Sequence, residues 1–240
     1  IYIKMVINQL QELIKHYPNK PWNWNYISEN SKINLEIINE NPDKPWNWHL
    51  ISNNKSITVQ DIENNLDKPW NWKNLSKNPN INMRFINNMY LLGHTWTWEY
   101  ISENSSITIQ DIINIQDKLW NWGYISRNPN ITMQFINDNL DQHWSWNWIS
   151  ANSGITIQDV INNPDKPWDW KWLSMNPNLT MQFINDNLDK PWSWRLISMN
   201  PNITINDINN NLDKPWIWEE LSIKSNINDI INNPNNPWSW

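Results

Sequence analysis

Residues 176–199 read NPNLTMQFINDNLDKPWSWRLISM, and variants of this stretch recur about ten times along the 240-residue chain. Trp pairs separated by one residue begin at Trp22, Trp46, Trp70, Trp96, Trp120, Trp144, Trp168, Trp192, Trp216 and Trp238, in steps of 24, 24, 26, 24, 24, 24, 24, 24 and 22 residues. Of the 22 Trp residues, only Trp148 and Trp172 stand outside these pairs. A fixed period of this length marks a stacked repeat, in which each unit buries its apolar face against its neighbours.

Both halves of the unit read as helix. In the first half the second Trp, an aliphatic residue and a Ser stand at i, i+3 and i+4, as in Trp48, Ile51, Ser52 or Trp194, Ile197, Ser198. That spacing lines one helical face. A strand would instead place Leu50, Asn74, Tyr100, Trp172 and Glu220 in the apolar register, and nothing keeps that position apolar. In the second half Thr58, Thr108, Thr132, Thr156, Thr180 and Thr204 sit where an N-cap belongs. An aliphatic residue precedes each Thr and another follows five positions after that one, as with Ile57 and Ile62, the spacing of a hydrophobic staple. Pro in the D-K-P-W lead-in suits the first turn of the other helix. Asn54, Asn78 and Asn128, often followed by Pro, punctuate the turn between the helices.

Each unit is thus expected to be two helices of about eight or nine residues, marginal alone and stabilised by stacking. The fold class is all-α: an α/α solenoid of about ten 24-residue helix-turn-helix repeats with a Trp-rich core. That core is expected to include Trp46, Trp48, Trp70, Trp72, Trp120, Trp122, Trp168, Trp170, Trp192 and Trp194. The Ser at nine equivalent positions, Ser28 through Ser222, reads as a small residue allowing close helix crossing, its hydroxyl bonding back one turn. One solenoid over 1–240 is expected, with a lone helix over 1–20, repeats over 21–237 and the start of a further or terminal repeat at 238–240. The chain opens on Ile1 and ends on Trp240, within its own repeat signature, which suggests a fragment of a longer chain.

A 48-residue alternation runs inside the 24-residue one. The third residue of the second helix alternates as Asp61, Phe85, Asp111, Phe135, Asp159, Phe183, Asp207, and the first as Val59, Met83, Ile109, Met133, Ile157, Met181, Ile205. Duplication of a two-repeat block explains this as history. A functional reading makes Met83, Phe85, Met133, Phe135, Met181 and Phe183 a contact face, and an Asp at the same place completes a capping box. The copy around 83–96 carries a two-residue insertion and lacks D-K-P.

No chemistry-bearing constellation emerges. His16, His49, His94 and His143 share no repeat position and no metal-ligand spacing. Asp43, Asp67, Asp117, Asp141, Asp165, Asp189 and Asp213 recur once per unit, as structural caps do and catalytic groups do not. Enzymatic activity, cofactors and metals are therefore not expected. The net charge of −6 is spread thinly, which disfavours nucleic acid. No apolar run approaches the ~18 residues that span a bilayer. Glycan binding is disfavoured because the Trp pairs fall where the core must be, although Tyr26, Tyr100, Tyr124, Trp148 and Trp172 at the variable position suit an exposed aromatic strip. Sequons occur at Asn54, Asn74, Asn104, Asn130, Asn178 and Asn202 as a by-product of the repeat.

The unit N-P-N-I-T-x-x-x-I-x-x-N-x-D-K-P-W-x-W resembles the Asn- and Trp-rich tandem repeats of uncharacterised proteins from large nucleocytoplasmic DNA viruses, over nearly the whole chain. The resemblance implies no catalytic residue. Regular spacing, near-identical copies and the lack of a singular residue cluster suggest a structural protein forming a rod or fibre, to which the resemblance adds a virion or virus-associated location. The alternative is a scaffold binding a host or viral protein along one solenoid face, whose signature is surface diversity on a fixed frame.

Overall fold

In the computed structural model, residues 12–17, 20–115 and 119–239 are described. The chain divides into two compact units, 1–120 and 121–240. Each unit is a stack of two-helix repeats, and no strand occurs among the described residues. Each unit is therefore an all-α repeat solenoid with one pattern of construction.

The first helix of a repeat, here the A helix, begins on the second Trp of the pair. In the first unit the A helices are Trp24–Glu29, Trp48–Asn53, Trp72–Leu75 and Trp98–Glu103, and in the second Trp122–Ile125, Trp146–Ala151, Trp170–Leu173, Trp194–Met199 and Trp218–Lys224. The second, B, helices are Leu35–Glu40, Val59–Glu63, Met83–Leu91 and Ile109–Asn114, then Met133–Asn137, Ile157–Asn162, Met181–Asn185, Ile205–Asn209 and Ile227–Asn232. Residues 12–16 are also helical, and the rest of the expected leading helix falls largely outside the described residues.

The residue between the two Trp residues is the A-helix N-cap. Asn47, Asn71, Asn121, Asp169 and Ser193 each accept the backbone N–H of the third helical residue. This corrects the reading that Pro opens the helix. Pro45 lies two residues before the cap Asn47, at the centre of a tight turn closed by the Trp46 N–H on the Lys44 carbonyl at 2.8 Å, where its missing N–H costs nothing. The B-helix caps are as read: Thr58, Thr108, Thr156 and Thr204 make full capping boxes with Asp61, Asp111, Asp159 and Asp207. Thr132 and Thr180, ahead of Phe at the third position, make the one-sided cap.

Nearly all helices are four to seven residues long, shorter than expected. The A helix stops because the Asn that follows it folds its side chain into an Asx turn: Asn78 Oδ1 accepts the Asn80 N–H at 2.9 Å. The exception is Met83–Leu91 at nine residues. The insertion prolongs this B helix by a turn, and Gly93 at φ +88° closes it in the left-handed conformation that favours glycine.

Two side-chain ladders hold the repeats together. The A-helix Ser hydroxyl donates one turn back, as Ser52 to the Trp48 carbonyl at 2.7 Å. It also accepts the N–H of the next repeat's cap: Ser28 from Asn47 and Ser52 from Asn71, both at 2.9 Å, and Ser150 from Asp169 at 3.0 Å. The Asn closing the A helix reaches the opposite way. Asn54 Nδ2 donates to the carbonyls of Ser28 and Asn30, and Asn78 to those of Ser52 and Asn54. In the second unit Asn152, Asn176 and Asn200 repeat the arrangement. These amides are 0–6% exposed, so each replaces solvent for a buried Ser carbonyl at the A-helix C-terminus and adds a second donor to an Asn carbonyl that already accepts a backbone N–H, as Asn54 does from Ile57. Lys224 takes the position of the next Asn and donates from Nζ to the Asn200 and Ile203 carbonyls at 2.8 and 2.9 Å.

The deepest core is aliphatic. Ile51, Ile57, Ile62, Leu75, Ile81 and Ile86 in the first unit have no exposed surface, and Ile125, Ile149, Leu173 and Ile197 match them in the second.

Candidate functional site

The Trp pair divides its labour. The first indole of a pair is tied down by its Nε1–H, which donates to a carbonyl just past the preceding B helix, as Trp46 to Asn41, Trp70 to Asn65, Trp168 to Asn163 and Trp192 to Asn187, while Trp96 reaches Ile86 inside the longer B helix. Trp46, Trp70 and Trp168 are buried, whereas Trp120 and Trp192 are half-buried. The second indole, as in Trp48, Trp72, Trp122, Trp170 and Trp194, is half-buried and meets the next repeat's first indole edge-on, at centroid distances of 5.0–5.3 Å in these five pairs. That is the preferred geometry of an aromatic pair.

Met83, Phe85, Met133, Phe135, Met181 and Phe183 are 1–8% exposed. Phe135 lies against Trp122 and Trp144, and Phe183 against Trp170 and Trp192, with centroids 5.9–6.1 Å apart. The contact face read from these six residues is thus closed inside the chain. The need for burial that Phe and Met bring to this position is met by the neighbouring indoles of the same unit.

Apart from Tyr26, the A-helix face is half-buried at its third position, and it is mostly exposed at its sixth. Its third and sixth positions, neighbours at i and i+3, vary freely while the buried Ser, Asn and aliphatic positions hardly change. In the second unit the third position runs Tyr124, Trp148, Trp172, Leu196, Glu220 and the sixth Arg127, Ala151, Met175, Met199, Ile223. Met175, Met199 and Ile223 are 44%, 49% and 77% exposed. Trp148 and Trp172, the two Trp residues outside the pairs, touch across adjacent repeats with centroids 4.6 Å apart. The Arg127 guanidinium lies 4.3 Å from the Trp148 centroid. Arg195, its side chain 72% exposed, bridges to Glu220 at 2.7 Å. In the first unit the same two positions hold Tyr26, Leu50, Asn74, Tyr100 and Glu29, Asn53, Lys77, Glu103, a polar series in which Lys77 covers Tyr100 at 3.9 Å. Of the aromatic strip expected to be exposed at the third position, Tyr26 is exposed, and Tyr100, Tyr124, Trp148 and Trp172 are half-buried. The Met, Ile and Arg beside it were not singled out, although their i+3 spacing from a variable residue was visible.

The remaining candidates resolve into frame. His94 occupies the Lys position of D-K-P and stacks on Trp72 at 3.8 Å and 18°, so it does follow the repeat once the insertion is counted. Lys190 lies 5.5 Å from the Trp170 ring in the same manner. Hydrogen bonds from Lys190 and Lys214 hold the Asp189 and Asp213 carboxyls below the ordinary range. Burial pushes the Lys224 ammonium down to about 8. A groove of about 480 Å³ beside Trp170, lined also by Pro164 and Lys190, has an equivalent of about 330 Å³ beside Trp48, Pro42 and Lys68. No group of His, Asp and Glu among the described residues is arranged to hold a metal, and none of the described helices is long and apolar enough to cross a membrane. The sequon residues Asn54 and Asn104 are buried ladder amides, closed to glycan attachment in the folded chain.

Comparison of the chain with protein-family models, with curated proteins and with solved structures gives no match.

Proposed function

We propose that this chain is a non-enzymatic repeat scaffold that holds a protein partner along its outward A-helix face. One observation carries the reading: the positions that bind repeat to repeat are nearly uniform, whereas the third and sixth A-helix positions range from Glu220 to Trp172. A frame needs uniformity to stack, and a recognition surface needs diversity to be specific. Tyr, Trp, Met and Arg, the residue types enriched at protein interfaces, are concentrated on that face in residues 121–240.

Site-specific photo-crosslinking in an extract of the native source tests this. A crosslinker at Met199, on the A face, is expected to give a discrete protein adduct, and one at Gln158, on an exposed B helix, none. An adduct only at Gln158, or none at either position, would overturn the reading.

The uniformity of the frame favours a second reading, in which the repeats supply length to a rod or fibre and, from the viral resemblance, to a virus particle. Electron microscopy of the native material separates the two, since regular filaments without an A-face adduct belong to the second.

A further inference from the structure

The edge formed by the B helices carries a second regularity, separate from the A-helix face. In residues 121–240 every repeat places one large apolar side chain at the fifth or the eighth position, counted from the first residue of the B helix, and never at both. Leu140, Leu188 and Leu212 stand at the eighth with Asn at the fifth, whereas Ile161 and Ile231 stand at the fifth with Pro at the eighth. All five are 51–64% exposed. Leu66, Tyr90 and Ile113 keep the same rule in the first unit, with a polar residue at the alternative place. A single exposed aliphatic residue needs no explanation. One kept in every repeat, while its position shifts, marks a surface held for contact.

The exchange of Leu for Pro changes the shape of this edge. The Pro ring folds back on its own backbone and leaves space that a Leu side chain would take. Beside Pro164 lies the groove of about 480 Å³, with Val160, Ile161, Trp170 and Phe183 around it and Asp186 and Lys190 of the next repeat on its other side. Leu188, between those two charged residues in sequence, stands exposed next to it. The first unit has the same order: the groove of about 330 Å³ at Pro42 and Trp48 is followed one repeat on by Leu66. In each unit a groove and a protruding Leu thus share one edge, their Pro and Leu 24 residues apart.

Charge and shape decide what fits there. The groove carries one charge of each sign, and both are engaged, Asp186 by Gln182 at 2.8 Å and Lys190 by Asp189 at 3.0 Å. No unbalanced charge selects an acidic or a basic partner, so shape is what remains. The edge is uniform from repeat to repeat, unlike the variable A-helix face, and a row of equal steps fits a row with the same steps. A second copy turned end for end supplies that row. It offers a Leu for each groove and a groove for each Leu, the reciprocal contact that identical surfaces make about a two-fold axis. We infer that two copies of this chain pair antiparallel along the B-helix edge, Leu188 of each seated in the groove of the other between Pro164 and Trp170, and that Leu66 and the groove at Pro42 make the like contact between first units.

This pairing goes beyond the scaffold reading and uses another face. One Leu and one groove in each direction make a small contact, so a dissociation constant on the order of 10–100 μM is expected. The dilute chain of the crosslinking experiment is then unpaired, and Gln158 stays its silent position. In sedimentation of the whole chain from roughly 1 to 300 μM, the average mass should rise above that of the monomer. Pro42→Leu with Pro164→Leu fills both grooves with the residue that the next repeats carry at Leu66 and Leu188. It adds apolar surface, yet should weaken association at least about tenfold with the circular dichroism unchanged. Leu66→Gln with Leu188→Gln, at exposed sites where Gln116 is the chain's own precedent, should weaken it as much. Met199→Gln, on the A-helix face, should leave it unchanged. A chain monomeric at every concentration, association strengthened by the Pro→Leu pair, indifference to either pair of substitutions, or loss with Met199→Gln overturns the inference. The crosslinking result at Met199 still decides the scaffold reading by itself.

Discussion

Asn176→Ala removes the central rung of the asparagine ladder in residues 121–240, and its cost can be worked from the bonds it breaks. Asn176 has no exposed surface. Its Nδ2 donates to the carbonyls of Ser150 at 2.9 Å, Asn152 at 3.0 Å and Ile155 at 3.1 Å, and its Oδ1 accepts the Asn178 N–H at 2.8 Å. The four losses are unequal. The Asn152 carbonyl keeps the Ile155 N–H, and the Ile155 carbonyl keeps the Asn178 side chain. Ser150 belongs to the fully buried set, and its carbonyl loses the amide that replaced solvent. The amide has two hydrogens for its three acceptors, so one buried orphan at about 1–3 kcal/mol and two further full bonds at about 0.5–1.5 kcal/mol each give roughly 2–6 kcal/mol in total. Asn202→Ala is the control. Asn202 is exposed, and its Nδ2 has one carbonyl partner, Leu179 at 2.8 Å, so about 1 kcal/mol or less is expected. Urea unfolding followed by Trp fluorescence measures both. A cost for Asn176→Ala that falls to about 1 kcal/mol, no larger than the control, would refute the idea that these buried amides hold the stack.

Three further outcomes follow from single sites. Lys224 has its ammonium depressed to about 8 when folded against 10.5 in the open chain, so both states are protonated at lower pH and the charge is buried at a cost. Between those values the unfolded chain binds the extra proton, and stability of the last repeat should rise with pH. Lys224→Asn, which restores the ladder amide, should abolish that slope in thermal melts recorded from pH 7 to 9.5. Gly154→Ala would set a Cβ 2.5 Å from the Ile131 carbonyl and 2.6 Å from that of Pro129, both backbone atoms, and should cost about 1–3 kcal/mol in chemical denaturation. Phe135→Asp places a carboxylate between Trp122 and Trp144 and should cost at least about 3–5 kcal/mol; an unfolding midpoint equal to that of the parent chain would contradict its burial.

Local rules made the repeat legible from sequence. Thr58 and Asp61 form the capping box their spacing announces, the i, i+3, i+4 spacing of Trp48, Ile51 and Ser52 marked the other helix, and the 24-residue period marked the stack. What escaped is what depends on the neighbouring repeat. Asn78 read as turn punctuation because its Asx turn is local, while the carbonyls of Ser52 and Asn54 to which it donates come from the preceding repeat, 26 and 24 residues away. Ser52 read as a small residue bonding backward, which it does, and its second bond to Asn71 needed the stacked partner. The cap role of the residue between the Trp residues was there to read in the Asn, Ser, Asp or Thr that occupies it everywhere but Ile217, and the Pro ahead of it drew the helix start two residues too early. Met133 and Phe135 read as partner contacts because their alternation stood out, yet neighbouring indoles close over them. On the outward face Trp148 and Trp172 were visible as exceptions to the pair rule, and Met175 and Met199 lacked any comparable mark.

The ladder acceptors are main-chain carbonyls, present in any repeat whatever side chains it carries, and this bears on how such a gene can change. Within residues 121–240, excising one whole period between equivalent codons rejoins each Asn and Ser to a carbonyl and an N–H of the same kind, as Asn176 and Asn200 already show by interchange of partners. An excision one codon longer or shorter would shift the rungs and strand buried amides. Recombination between copies is thereby steered toward complete modules, and point mutation is left to write on the outward helix positions, where no rung depends on the letter.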